Sequence, residues 1–351
     1  MQLSVHWAGA VALALASMPA TVVATPAAEP YVIYLSNNFV GNDWRQQMER
    51  VAKVAVTKDP LKGKVDLHIE NAEGTVQAQI NSLNNIIRAK PAAILIDASS
   101  ADGLNPTIQK ACDAGIVVVS FDQTVTAPCA YKMHSDFDVM ANNQAEWVAT
   151  MLGGKGKILK ADGLAGAPIS EQFAKNFATI FSKYPDIQIV GHFNSNYAPG
   201  PEQQGVAALL AAHPEVDAIL SQAYGTGAMK ALQNADRPMV PIVGAAFNGT
   251  GVACVQTAGA KCWLGANPPS LSAEAIKLAV DVLGGAKPAD KTVLFNSPGL
   301  TTDMVAAKYA PGSSAVKLEL GKTVFPDLPP GLSLPISPDW VTITPQEASG
   351  T

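Results

Sequence analysis

Charge is scarce in this chain. Only 15% of its 351 residues are charged, and the formal balance is −5. No stripe of Lys and Arg runs through it, which excludes the electrostatic footprint of a nucleic-acid binder. No acidic block marks a solvated tail either. Beyond the N-terminal stretch, no apolar run approaches the ~20 residues that a membrane-spanning helix needs. The histidines are His6, His68, His134, His192 and His213, with no H-x-x-x-H pair, and no C-x-x-C is present. The residues therefore offer no zinc site. Signatures of chemistry are lacking too: no G-x-S-x-G nucleophile elbow, no strand followed by G-x-G-x-x-G, and a "GGKGKI" (153–158) without phosphate-loop spacing. Neither a cofactor nor a metal is expected.

What is present begins at the N-terminus. "WAGAVALALASMPATVVATPA" (7–27) is an apolar stretch that runs into small residues, with cleavage sites after Ala24 or Ala28. Residues 1–24 read as a secretory signal, and the remainder as a soluble periplasmic protein. Four cysteines follow: Cys112, Cys129, Cys254 and Cys262. An even number in an exported chain reads as two disulfides. Three pairings are open. Cys112–Cys129 and Cys254–Cys262 are preferred because each pair brackets one apolar strand-like run.

Short apolar runs alternate with segments of helical period. "YVIYLS" (31–36), "AAILIDA" (92–98), "GIVVVSFD" (115–122) and "DAILSQ" (217–222) are apolar on both faces, as buried parallel strands are. In "TVQAQINSLNNIIRAK" (75–90), Ile80, Leu83, Ile86 and Ile87 share one helix face. Alternation of this kind means an α/β fold with parallel sheets. About nine such repeats are too many for one ordinary sheet, so two doubly wound lobes fit better than an eight-stranded barrel. The Pro-rich "FPDLPPGLSLPISPDW" (325–340) reads as an irregular strap.

Open α/β sheets bind ligands beyond the carboxyl ends of their strands. The residues that follow the strands are Asn37, Asn38, Trp44 and Arg45, then Asp122 and Gln123, then Asn194, Asn196 and Tyr197. Gln222, Asn248 and Asn267 complete the set. This is a group of amides with one carboxylate, one guanidinium and two aromatics. Amides and carboxylates pair with adjacent hydroxyls, an aromatic face stacks on the C–H side of a ring, and Arg offers a planar fork of donors. Each member has a plainer explanation: Trp44 as helix packing, Asp122 as a helix N-cap, Arg45 as a solvated helix residue, Asn248 as turn chemistry in "NGT". The joint pattern favours a polyhydroxylated ligand. Only Asp122 is read as a carboxylate at a strand end with polar neighbours, which argues for binding without turnover.

The ordered segments "YVIYLSNN…W", "AILIDASSADGL", "GIVVVSFDQTV", "HSD", "ADGLAGAPISEQFAKNF", "AAHPEVDAIL", "GTGAMKAL", "IVGAAFNGTG" and "AEAIKLAVDVLGG" resemble the periplasmic sugar-binding proteins of the ribose-binding type, the substrate-binding components of ABC importers. The resemblance covers nearly all of residues 30–300. It implies two Rossmann-like lobes joined by a three-crossover hinge, the type I periplasmic binding protein arrangement, with one sugar in the cleft. The lobes would be 30–134 plus 268–295, and 136–266 plus 297–351, with crossovers near His134–Asp136, Asn267 and Asn296. The family's Asp-Arg after the fourth strand matches Asp122-Gln123. Its stacking aromatics match Trp44 and Tyr197, the Asp of its "FDG" turn matches Asn248, and its crossover Gln matches Asn267. Gln222 occupies the region of an Asn contact. An Arg expected early in the helix after "GLAG" falls on Phe173. The site thus loses charge and gains apolar surface, which implies a ligand other than ribose.

The implied partners are a small sugar or polyol and an ABC permease, with a chemoreceptor as a further candidate, and the chain is expected to act as a monomer without enzymatic activity. Three rivals are set beside this. A lac-repressor-type regulator needs a helix-turn-helix for which the signal-like start leaves no room. An exported glycosidase needs a second carboxylate. A binder of a non-sugar, such as a nucleoside or signalling molecule, would use the same amide-rich cleft.

Overall fold

The computed structural model describes residues 29–222, 224–245, 248–265, 267–295, 299–303, 333 and 336–350. The expected signal segment and the crossover at Asn296 lie outside the described residues. Among those described, the strands are β1 (Tyr31–Asn37), β2 (Val65–Asn71), β3 (Ala93–Asp97), β4 (Val117–Phe121), β5 (Tyr131–Ser135), β6 (Lys155–Asp162), β7 (Asp186–Asn194), β8 (Ala218–Ser221), β9 (Pro241–Ala245), β10 (Lys261–Gly265), β11 (Thr292–Phe295) and β12 (Gly299–Thr301). They form two sheets, ordered β11-β5-β4-β3-β1-β2 and β12-β10-β9-β8-β6-β7. All pairings are parallel except β10 with β12. The fold is α/β with two doubly wound sheets, as the strand–helix alternation implied. β5, β11 and β12 are strands that the sequence reading passed over: "YKMHS" carries little apolar signal, and β11 and β12 are only 4 and 3 residues long.

The helices are α1 (Asp43–Ala55), α2 (Val76–Ala89), α3 (Asn105–Asp113), α4 (Phe137–Met151), α5 (Pro168–Phe181), α6 (Pro199–Ala212), α7 (Thr226–Asn234), α8 (Asn248–Gln256), α9 (Leu271–Leu283) and α10 (Pro345–Ser349). Local chemistry fixes several of their starts. Asn42, Thr75 and Asp136 accept from the backbone N–H groups of Arg45, Ala78 and Val139, satisfying donors that a helix start otherwise leaves orphaned. α2 turns Leu83 and Ile86 inward with Ile80 and Ile87 beside them. β3 is buried at every residue. Both preferred disulfides form: Cys112–Cys129 and Cys254–Cys262.

Each sheet reverses its winding once, between β1 and β3 in the first and between β6 and β8 in the second. Strand register then sets polar residues side by side at these switch points. Asn37 is level with Asp97 at the first, and Ser221 is level with Ala161, the neighbour of Asp162, at the second. The chain passes from the first sheet to the second after Ser135, returns between Gly265 and Leu271, and passes over again between Phe295 and Gly299.

The described residues of the C-terminal segment bond to helices that cover the first sheet. Ser333 N donates to Gln47, Lys58 Nζ reaches Thr342 O and Glu347, and Trp340 Nε1 donates to Glu274. Ile343 and Ala348 are buried in the apolar cluster that also takes in Val51 and Ala55 of α1. The outer face of α1 is apolar, and burying it against this segment removes it from water.

Candidate functional site

α1 starts where the Asn42 cap ends β1's exit loop, and its first turn delivers Trp44 and Arg45 to the space between the sheets. Arg45 is 2% exposed. Its Nη1 donates to Asn37 Oδ1 at 2.7 Å and pairs with Asp97, while Nη2 lies 3.5 Å from Asp122 Oδ2. Asp97 is the carboxylate the sequence reading missed. It is the last residue of β3, so the rule that found Asp122 applies to it equally. Burial pushes Asp97 well above the usual carboxylate range, against the pull of Arg45. Burial also raises Asp122, against the pull of Arg45 and Asn267.

Asn267, at the crossover after β10, ties this cluster together. Its Nδ2 donates to Asp122 Oδ1 at 2.7 Å, and its Oδ1 accepts from Ser135 Oγ at 2.9 Å. Its carbonyl accepts from Trp44 Nε1 at 2.8 Å. Trp44 thus lines the space with its ring while its polar edge is held by the crossover. The guanidinium lies 5.5 Å from the Trp44 ring and 5.2 Å from that of Phe39.

The second sheet supplies the facing wall. Tyr197 has φ +53, following Asn196 at +52, and Asp122 has +57. Left-handed backbone at a bulky residue costs free energy, and such residues concentrate at functional sites. Tyr197 Oη lies 2.6 Å from Ser170 Oγ, and burial raises its hydroxyl above the usual phenol range. The ring fits only because residue 163 is Gly: a Cβ there would stand 2.2 Å from it. Phe173 on α5 packs edge-on against Phe177 at 5.6 Å and tilts against Phe137 at 6.0 Å. Gln222 gives its whole amide to the protein, accepting from Gly163 N and donating to Asp162 and the Ser170 carbonyl. Tyr224 reaches across to α1, where its hydroxyl faces the backbone N–H groups of Asp43 and Trp44.

These groups surround one cavity at the carboxyl ends of both sheets. Trp44, Arg45, Asp122, Gln123, Phe173, Tyr197, Gln222 and Asn267 all line it. Asn38 does not: its amide donates to Ala98 O and holds the loop after β3. Asn248 opens α8, and its side chain is outside the described residues. Sequence reasoning missed Phe137, Met140 and Gln144, spaced along one face of α4, and Ile169, Tyr224 and Ser333. A helical stripe of apolar residues ordinarily means core. Nothing in the Pro-rich stretch marked Ser333. Gln123 and Gln144 keep a buried Oε1, and Ser333 a buried Oγ, without a hydrogen-bond partner.

The model of the periplasmic binding protein domain matches residues 33–287. The xylitol-binding protein of Mycolicibacterium smegmatis is 26% identical over 216 residues, 60% of this chain and 59% of that protein. The ribose import binding protein RbsB of Salmonella typhimurium is 24% identical over 55% of this chain and 66% of its own length. The chain therefore aligns with roughly three fifths to two thirds of these relatives. The crystal structure of an ABC transporter solute binding protein from Thermobispora bispora superposes with a TM-score of 0.71 at 27% identity, over 82% of this chain and 91% of that one.

Proposed function

Given that the chain belongs to the periplasmic binding protein domain family, we propose that it captures a neutral sugar or sugar-like polyol between its lobes and delivers it to an ABC permease. The observation that carries this reading is the cavity itself: Trp44 and Tyr197 rings, amides, one carboxylate and one guanidinium converge there from the ends of both sheets. The similarity to xylitol- and ribose-binding proteins supports the ligand class. The guanidinium is already shared among Asn37, Asp97 and Asp122. No other cation stands among the described lining residues, so an anionic ligand would find no counter-charge.

Binding without turnover is part of the proposal. Asp97, the second carboxylate, is not a cavity-lining residue. Asp122 alone cannot provide the pair that glycoside hydrolysis uses. The lobes are taken as residues 30–134 with 268–295, and 136–266 with the strand at 299–301, hinged where the chain changes sheets. A ligand touching both lobes favours the closed form by its differential affinity. Export to the periplasm and permease docking rest on the family and on the signal-like N-terminus. A chemoreceptor as a second partner has no observation behind it.

The test is a thermal-shift screen of ligand-stripped protein against monosaccharides, polyols and nucleosides. A ligand at a hundredfold excess over its Kd adds about 2.7 kcal/mol of stability. A shift with a sugar or polyol, lost in Trp44→Ala and Asp122→Ala, supports the reading. Shifts with nucleosides alone would replace the ligand class. Absence of any shift would remove the cleft assignment.

A further inference from the structure

The cavity is chemically two-sided, and this restricts its ligand beyond "sugar". One side is polar: Arg45 and Asp122, with Gln123 beside them, all carried at strand ends or the first helix turn of the first lobe. The other is an apolar wall on two neighbouring helices. Phe137 and Met140 come from α4, and Ile169 and Phe173 from α5. The wall is fixed from behind. Phe173 is stacked edge-on to Phe177, and Met140 fits against Gly265, where a Cβ would stand 2.4 Å from its sulfur.

Two polar groups that line the cavity from the second sheet's side already bond within the protein. The Tyr197 hydroxyl is paired with Ser170, and the Gln222 amide with Asp162, Gly163 and the Ser170 carbonyl. Among the described lining residues, the buried atoms left without partners are the oxygens of Gln123, Gln144 and Ser333. These can accept O–H groups from a ligand: Gln123 and Ser333 lie outside α4 and α5, and Gln144 stands one turn past Met140 on α4. A ligand hydroxyl set against Phe137, Met140, Ile169 and Phe173 would lose its water to side chains that offer it no hydrogen bond, whereas a methyl there would leave water at a gain.

We propose that the ligand is a neutral deoxy sugar, with its ring hydroxyls toward Asp122, Arg45 and Gln123 and a methyl carbon against Phe137, Met140, Ile169 and Phe173. These four residues discriminate against the parent sugar that carries a hydroxymethyl group at the same place. The inference rests on the sugar-binding reading above and narrows it.

Isothermal titration of the ligand-stripped protein with matched pairs tests it: L-rhamnose against L-mannose, L-fucose against L-galactose, and D-fucose against D-galactose, each pair differing only at C6. The expected result is one deoxy sugar binding at least tenfold tighter than its parent. In Ile169→Asn that ratio falls to threefold or less, chiefly through weaker binding of the deoxy sugar. Ile169 is only partly buried, so this variant tests the wall without emptying the core. A parent sugar that binds as tightly as its deoxy partner overturns the inference and leaves the sugar reading standing. So does binding confined to pentoses or pentitols. Binding of no sugar or polyol at all overturns both.

Discussion

Arg45 shows how one side chain can be both a support and a wall of the site. Its guanidinium joins the ends of three strands, through Asn37, Asp97 and Asp122. Replacing it by Met leaves Asp97 buried without its cation, which costs about 3–5 kcal/mol. Urea unfolding of Arg45→Met is expected to show that loss, and Arg45→Lys to recover only part of it, because an ammonium cannot span three acceptors as a planar fork does. Gly163 is a second residue whose chemistry is decided by a neighbour. A methyl at this position meets both the Tyr197 ring at 2.2 Å and Ser170 Oγ at 2.3 Å. Gly163→Ala should cost about 1–3 kcal/mol of stability through overpacking and weaken ligand binding at least tenfold, read by titration. An unchanged affinity would mean that the ring takes no part in the site.

At the scale of elements, α7 begins on a buried acid. Glu202, on α6, accepts from the backbone N–H groups of Gly225 and Gly227, each at 3.0 Å. Carboxylates are favoured at a helix N-terminus, yet burial prevails and pushes this one up to about 7 from an ordinary 4.5. The folded protein therefore holds a proton that the unfolded chain releases. Glu202 contributes its stabilisation fully below pH ~4.5 and loses it as pH rises through about 7, a change of about 3 kcal/mol. Buried Asp97 and Asp122 are raised in the same sense. The difference between wild type and Glu202→Gln should isolate the Glu202 share: a lower melting temperature for the variant at pH 5, with the gap narrowing by pH 8. A gap that is constant with pH would mean that Glu202 is ionised throughout. The disulfides also act on single elements. Cys112–Cys129 closes a span of 17 residues around β4, and Cys254–Cys262 one of 8 residues between α8 and β10. Loop-closure entropy gives about 3 and 2.5 kcal/mol, so reductant should lower the melting temperature, and Cys112→Ser with Cys129→Ser should account for the larger part.

At the scale of the whole molecule, described residues near the two sheets' switch points meet one another. The Trp44 indole donates to the Asn267 carbonyl at the crossover, and Tyr224 is buried in the apolar cluster that takes in Trp44 and Met48 of α1. Small-angle scattering should show a smaller radius of gyration on adding saturating ligand. Equal radii with and without ligand would refute hinged closure. The C-terminal residues 336–350 bear on the first lobe, through Lys58 with Glu347 and Trp340 with Glu274.

The amino-acid sequence by itself determined the alternation of strands and helices, because buried parallel strands and amphipathic helices each leave a local periodic signature. It also located most of the cavity's polar residues, because a parallel sheet sends the ends of its strands to one edge. For the cysteines it left three pairings open and favoured the local one, which the structure then showed. Only the tertiary structure decided which of those residues meet. Asn38 and Asp97 follow neighbouring strands with equal claims, yet strand register sets Asp97 beside Arg45 while Asn38 is spent on a loop. The apolar wall was illegible for a related reason. Phe137, Met140 and Phe173 carry the pattern of core residues, and whether such a face meets another helix or an empty cleft depends on how the two lobes pack, which no local pattern encodes.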